Sequence, residues 1–482
     1  MLLDFENRII KQRKKLHVSD KKLISRVEKS VFGPKSKKVL KKTVQYESSG
    51  QIGFAVFKCP PVIEEGAGSV VVDADGKEYI DLLSGFSVSS VGQCNPEVVQ
   101  VIKDQCDRMM HYFDLPNIQR AELAKRISEL APGNFRKKVL FAVTGADAVD
   151  NAIKLSRWYT GGQFILTFYG DYHGVTGGTM GLTGKGGMWS YYYPILPADS
   201  GIAKFPYAYC YRCLYGMEYP NCELQCVKSI ESLLEGKESP YREPKSPISN
   251  VAAVIVEPMQ SSAGYIIPPD EFLAGIKRIC EKFGFLFVSD EIQAGLGRTG
   301  KMWAIEHSGV IPDMITTSKA LADGIPISMV VGRKEILESW GPGAHVSTFA
   351  GSHLACAAAN KVLQIMTRKN FLQKVRQNGK YFLEKLLGIA DKHPIIGHVN
   401  GKGLYLGIEF VRDRKTKEPA DKETNFMMNE CLKNGVIFEM GGYYYNRFQL
   451  IPSLLISKEE IDRAVAVFDK VFGSAEKKFD IC

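Results

Sequence analysis

The chain has 482 residues, 45% hydrophobic and 24% charged, the balance of a soluble globular protein with one large domain and a smaller one. No apolar run approaches the roughly 18 residues of a bilayer crossing, and the early charges of MLLDFENRII do not read as a secretory leader. Eleven scattered cysteines, an odd number, fit a reducing compartment, so a cytoplasmic location is expected.

The net charge of +9 is concentrated at the start, where the first fifty residues hold fourteen Lys and Arg against five Asp and Glu. Leu23, Ile24, Val27 and Val31 fall at helical spacing there, which predicts a basic helical arm over residues 1–45. A basic patch alone is a weak sign of nucleic-acid binding, so a solvated helix face without that partner is expected. Residues 46–95 open a small domain. Within them SVVVDADGKEYIDLLSG (69–85) predicts a hairpin turning at Asp75-Gly76.

From 96 to 360 strands and helices alternate. The strand candidates are KVLFAV (138–143), QFILTF (163–168), VAAVIVE (251–257), GFLFVSD (284–290) and DMITTSK (313–319). Between them DEFLAGIKRICEKF (270–283) sets Phe272, Leu273, Ile276, Ile279, Cys280 and Phe283 on one helix face. This is an α/β pattern, a mostly parallel sheet wrapped by helices on both sides, whose ligands gather at the carboxyl ends of the strands. An excursion over 207–228 carries Cys210, Cys213, Cys222 and Cys226. It opens as a zinc knuckle does, but only eight residues separate its halves. Reduced cysteines are the main expectation and a structural metal the lesser one.

After 361 the texture becomes that of a smaller α+β unit, with strands in GKGLYLGIEFVRD (401–413) and RFQLIPSLLI (447–456). Its last helix opens with a capping box from Ser457 to Glu460. The early hairpin is expected to join this unit, which makes the small domain discontinuous.

Polar groups converge at the predicted strand ends. VTGADAVDNAIKLSRWY (143–159) runs strand, Thr-Gly-Ala, helix, so free N–H groups at Thr144, Gly145 and Ala146 offer an anion site. Tyr172 and His173 end a second strand, where a ring can stack on a flat ligand. Asp290 ends a buried third, and Lys319 a fourth, an uncommon place for an ammonium because desolvation is costly. Phosphate cradle, stacking ring, buried acid and strand-end lysine together describe a pyridoxal 5'-phosphate site. In such a site a lysine holds the cofactor as a Schiff base and an acid keeps the pyridine nitrogen protonated.

SDEIQAGLGRTGKMWA followed by DMITTSKALADGIPISMVVG closely resembles the signature of the class III (omega-type) aminotransferases, which are fold type I pyridoxal phosphate enzymes. The resemblance spans about residues 50–475. It implies that Lys319 is the Schiff-base lysine and Asp290 the partner of the pyridine nitrogen. Gln293 becomes the donor to the phenolic oxygen, Thr144 to Ala146 the phosphate turn, and Tyr172, beside His173, the stacking ring. Glu257, at the end of its Glu-Pro strand, is also expected at the cofactor site. Thr348 in HVSTFAGSHLACAAA matches a threonine that reaches the phosphate in the neighbouring subunit, which implies a homodimer with shared sites.

The resemblance also sets expectations for substrate contacts. Many relatives carry a glutamate that pairs with a C-terminal arginine; here that position is Ser262, so Arg447 is expected to be free for a substrate carboxylate. The double serine and VRDRKTKEPAD (411–421) resemble dialkylglycine decarboxylases, but the glutamine of their early loop is Phe86 here. HPIIGHVNGKGLYLGIEFVRD resembles branched-chain epimerases. The expected reaction is ping-pong transamination between an amino acid or carboxylate-bearing amine and a 2-oxo acid. Racemisation or decarboxylation on the same site is the alternative.

Overall fold

The computed structural model describes residues 18–48, 50, 57, 59–184, 201–242 and 249–481. The expected basic arm is described only from residue 18; its earlier part lies outside these residues. Helices span Asp20–Glu28 and Pro34–Tyr46. Leu23 and Val27 are buried, but the first helix ends at Glu28, so Val31 leaves the apolar face and is exposed while Phe32 is buried.

Strands β1 (Ile63–Ala67), β2 (Val70–Asp73) and β3 (Glu78–Asp81) are antiparallel neighbours. The β2–β3 turn closes because Gly76 adopts φ 89°, and because Asp73 Oδ1 accepts from the N–H groups of Asp75 and Lys77 at 3.0 and 2.9 Å.

The large sheet has seven strands: β4 (Lys137–Ala142), β5 (Phe164–Phe168), β6 (Ile202–Phe205), β7 (Val251–Val256), β8 (Leu286–Asp290), β9 (Met314–Thr317) and β10 (Ser328–Arg333). Their order is β4-β10-β9-β8-β7-β5-β6, with β6 to β9 mutually parallel and β10 antiparallel to both neighbours. The sequence pattern did not signal β6 or β10. The four residues of β6 carry too little periodicity, and the antiparallel β10 does not belong to the strand–helix alternation. Every residue of β7 and β8 is buried, because both sheet faces are covered. Val254, Val256 and Phe287 pack with Phe272, Leu273 and Ile276 on one face. On the other face Ile255 and Val288 pack with Val149, Ala152 and Ile153.

Strands β11 (Ile396–Lys402), β12 (Tyr405–Phe410), β13 (Val436–Ile437), β14 (Glu439–Gly441) and β15 (Arg447–Leu450) follow. All but β13 form a second antiparallel sheet, while β13 pairs in parallel with β3 and so ties the early hairpin to the C-terminal part of the chain. The closing helix, Lys458–Phe479, starts with the expected Ser457–Glu460 capping box. Among the described residues no helix is long and apolar enough to cross a membrane.

Candidate active site

The parallel strands aim their carboxyl ends at one pocket of about 380 Å³. Thr144, Gly145, Ala146, Tyr172, His173, Glu257, Asp290, Gln293 and Lys319, named from five separate stretches of sequence, all line it. Thr144 caps the helix Gly145–Thr160 through its hydroxyl, which accepts from Asp147 N at 3.2 Å. The hydrogen-bond ladder starts only at Ala148 N, so the N–H groups of Gly145 and Ala146 remain at the pocket wall for an anion. Gly174 (φ 121°) lies so close to this turn that a Cβ there would stand 2.5 Å from Ala146 Cβ. Only glycine lets the Tyr172-His173 segment close over the helix start.

Asp290 is buried at the end of β8. Its Oδ2 lies 2.7 Å from His173 Nδ1, and its Oδ1 accepts from Ile292 N at 3.1 Å. The other ring nitrogen, His173 Nε2, lies 3.3 Å from Asp171 Oδ2, and Gln260 donates to Asp171 Oδ1 at 2.7 Å. Asp171 and Gln260 extend the site beyond the residues read from sequence; an acid two positions before the histidine in YGDYHG was the available signal. Burial pulls the His173 pKa down, but the two carboxylates outweigh it and raise it to about 10. His173 therefore stays protonated at neutral pH and holds Asp290 in place.

That raised value has a sign. The stabilisation from charging His173 is complete below its unfolded value near 6.5 and is lost as pH rises through about 10. Thermal melts should show parent stability falling between pH 7 and 10, with a flatter dependence in His173→Gln. Equal slopes for the two proteins would mean that the histidine is not charged between its carboxylates.

Glu257 accepts from Tyr172 N at 2.7 Å and from Ser261 N at 3.0 Å, so it pins the stacking segment to the opposite wall. Burial, with help from Asp171, lifts its carboxyl to about 8. Glu291, the second acid of the strand end, points away from the pocket. It accepts from Ala304 N at 2.7 Å and Ile305 N at 2.8 Å and so holds the loop after GLGRTG. Arg298, within GLGRTG itself, is fully buried. It donates to the carbonyls of Leu404 and Pro452 and to the hydroxyls of Ser87 and Ser90.

Lys319 follows β9 with φ 39°, a left-handed conformation uncommon for a side-chain-bearing residue and found where surrounding structure imposes it. Burial lowers its pKa, while Glu257 and Asp290 pull the other way. The amine is thereby moved toward the neutral form that attacks a carbonyl.

None of the four expected substrate or partner contacts lines this pocket. Phe86 (φ 64°) is half-buried outside the pocket lining, although its neighbour Ser87 donates to Gln293 O at 3.3 Å. Ser261, rather than Ser262, reaches the pocket wall. Thr348 is exposed in the loop before the helix His353–Met366, away from this pocket.

Arg447 has a glutamate opposite it after all, which the sequence did not signal. It is buried and bound, because Glu409 stands directly opposite it on the neighbouring strand β12. Arg447 Nη1 donates to Glu409 Oε2 at 2.6 Å and to the Tyr209 hydroxyl at 3.2 Å; Nη2 donates to Asn400 Oδ1 at 2.7 Å. Tyr209 and Arg212 also donate to Glu409. Burial pushes Glu409 up, yet Arg447, Tyr209 and Arg212 together bring it below the ordinary carboxylate value.

Tyr209 and Arg212 come from the cysteine-rich excursion. Its Cys210, Cys213, Cys222 and Cys226 are free thiols around a cavity of about 20 Å³. Burial raises Cys210 to about 11 and Cys226 to about 12, which keeps both protonated at neutral pH. Among the described residues no three such side chains are arranged to hold a metal ion.

Pyridoxal phosphate fits the pocket on the groups present. A helix start with unspent N–H groups would hold the phosphate, and Asp290 retains lone pairs for a pyridinium. The Gln293 amide oxygen is buried without a partner, and a half-turn of the amide puts an N–H donor at that place. Fold and site together define a fold type I pyridoxal phosphate enzyme. The family model described as aminotransferase class-III matches residues 55–472, and the chain belongs to that family, with pyridoxal 5'-phosphate as cofactor. Its similarity to the leucine/methionine racemase of Thermococcus litoralis is 36% identity over 88% of this chain and 93% of that protein. With the 4-aminobutyrate aminotransferase of Escherichia coli it is 31% over 90% and 99%. The solved taurine:2-oxoglutarate aminotransferase of Bifidobacterium kashiwanohense, in complex with PLP and glutamate, superimposes with TM-score 0.82. That match has 25% identity and covers 94% of this chain and all of that one.

Proposed function

We propose that the chain moves an amino group from an amino acid or carboxylate-bearing amine to a 2-oxo acid by a ping-pong cycle. The carrying observation is that Lys319 and Asp290, at the ends of the adjacent strands β9 and β8, open onto one pocket with an unspent helix start. When bound, the cofactor supplies an electron sink for the pair left behind when a bond at the substrate carbon breaks. Asp290, steadied by His173, keeps the ring nitrogen protonated. Lys319 holds the cofactor covalently and, once displaced by a substrate amine, takes a proton from the reacting carbon and returns it. The Gly145 and Ala146 N–H groups would hold the phosphate end, and Tyr172 would supply a stacking ring.

The test is a half-reaction screen, in which candidate amines are added and the cofactor's visible absorbance is followed together with the carbonyl product. Bleaching with a matching keto product supports amino-group transfer. The likeness to the Thermococcus litoralis racemase favours a second reading on the same residues, racemisation. Exchange of the α-hydrogen with inverted product and no net transfer would establish that reading instead.

The site is completed by a second copy in this proposal. Thr348 lies between exposed Val346 and Phe349, and Met110, Tyr112, Phe113 and Ile118 expose apolar surface on the segment that meets this loop through His111, whose ring lies 5.1 Å from that of Phe349. Apolar surface gathered like this commonly marks an interface. A homodimer follows, with Thr348 donating to the neighbouring subunit's cofactor phosphate. Thr348→Ala should weaken cofactor retention about tenfold in equilibrium dialysis, the worth of one hydrogen bond to a charged group. Unchanged retention would remove Thr348 from the site.

A further inference from the structure

A second cavity lies away from the cofactor pocket and shares no residue with it. It measures about 670 Å³ and forms where the first helix, Asp20–Glu28, meets the helix Asp421–Lys433 and the end of Lys458–Phe479. The first helix turns Leu23 and Val27 inward, so Lys22, Arg26 and Lys29, spaced by four and three residues, share another face and line the cavity. The helix Asp421–Lys433 buries Met427, Met428 and Cys431, and its Lys422, Phe426, Asn429 and Lys433 follow the same helical spacing along another wall. Phe32, Cys59 and Leu432 are buried and give the cavity an apolar floor. Lys478 Nζ lies 4.0 Å from the centre of the Phe426 ring.

Charge is one-sided there. Six cations line the cavity against one acid, Glu430, whose carboxylate is taken by Lys433 at 2.6 Å. Lys22, Arg26, Lys29, Lys422 and Lys478 have no acidic partner among the described residues. Residues 1–17, which precede the first helix, contain two acids against five Lys and Arg, so they add positive charge rather than neutralise it. Like charges around one concavity repel one another and focus a positive potential on its interior. A single anion carrying several charges relieves that repulsion for all five cations at once. A membrane or a nucleic-acid duplex meets a broad face, whereas these cations surround a concavity of the size that small ligands fill. The cations suit phosphates, and the apolar floor suits a flat ring.

We propose that this cavity is a second ligand site, for a small molecule of the nucleoside polyphosphate class, independent of the cofactor chemistry. The phosphates meet Lys22, Arg26, Lys29, Lys422 and Lys478, and the base lies on the floor of Phe32 and Leu432 beside Phe426. Such a ligand touches both the first helix and the C-terminal helices, so it ties the basic arm to the small domain and stabilises the folded chain.

Calorimetry on the full-length, cofactor-loaded enzyme in about 0.1 M salt tests this with ATP, tripolyphosphate and adenosine as probes. ATP should bind with a dissociation constant of about 0.1 mM or lower, and adenosine not measurably. Tripolyphosphate should bind at least about fivefold more weakly than ATP, the worth of stacking one base. Arg26→Gln combined with Lys422→Gln should lower ATP affinity at least about fivefold, since two charged contacts at the rim are lost, and should leave turnover unchanged. Failure of ATP to bind at about 1 mM overturns the proposal, and so does ATP binding that the double substitution does not alter. Tripolyphosphate bound as tightly as ATP removes the base from the site. A single-stranded RNA or a phosphatidylserine vesicle that binds through the same two residues while ATP does not would make this face a dock for that polyanion instead. The cofactor's visible absorbance is followed in the same titration. Its loss on adding ATP, in parent and double variant alike, would place the nucleotide in the cofactor pocket and overturn the second site.

Discussion

Lys319→Ala is expected to lose the visible absorption of the covalently held cofactor and to lower turnover by about 10²- to 10⁴-fold, the range for removing a positioned general base. The loss should be in kcat, because the phosphate end is held elsewhere, by the helix start at Gly145 and Ala146, with Asp290 at the ring. Cofactor should still bind, reversibly, and be removed by dialysis. Two features of the fold single out this lysine. It follows β9 next to the end of β8, and burial moves its amine toward the neutral form. A spectrum unchanged by the substitution would mean that another amine holds the cofactor and that the assignment is wrong.

Glu409→Ala should destabilise the fold by about 3–5 kcal/mol, because removing one partner of a buried ion pair leaves the other charged and unpaired. Glu409 and Arg447 are 0% and 1% exposed, so solvent offers little relief. The substitution also strips Arg212 and Tyr209 of their shared acceptor. Denaturant midpoints measure this directly. Glu409→Gln, which keeps an acceptor in place, should cost less. A loss below about 1 kcal/mol for the alanine variant would mean that the cluster is solvated, as exposed pairs are.

Much of the cofactor site was legible in the sequence because its residues announce themselves locally. A strand that ends in Ser-Asp-Glu, a Thr-Gly-Ala turn into an amphipathic helix and a lysine after a buried run are each properties of a few adjacent residues. The parallel sheet then does the rest, since it brings strand ends together whatever their distance in sequence. The pocket accordingly collected every cofactor residue named from sequence except Thr348, whose role needs a second copy. The capping box at Ser457 and the turn at Gly76 were readable for the same reason.

What the sequence could not supply was the pairing of charges across long separations. Arg447 looked free because the family position opposite it holds Ser262, and nothing in the chain marks Glu409, thirty-eight residues earlier, as its partner. That pairing is created by the register of β12 against β15, which sets the two side chains opposite each other. Arg212 and Tyr209 join from about two hundred residues away. The role of Glu291 was equally hidden, because its partners Ala304 and Ile305 are brought to it only by the packed loop. The sequence by itself pointed to a pyridoxal phosphate pocket, since lysine, acid and phosphate turn are local signals. The tertiary structure alone decided which buried charges pair with one another, since buried ions are paired through space and not along the chain.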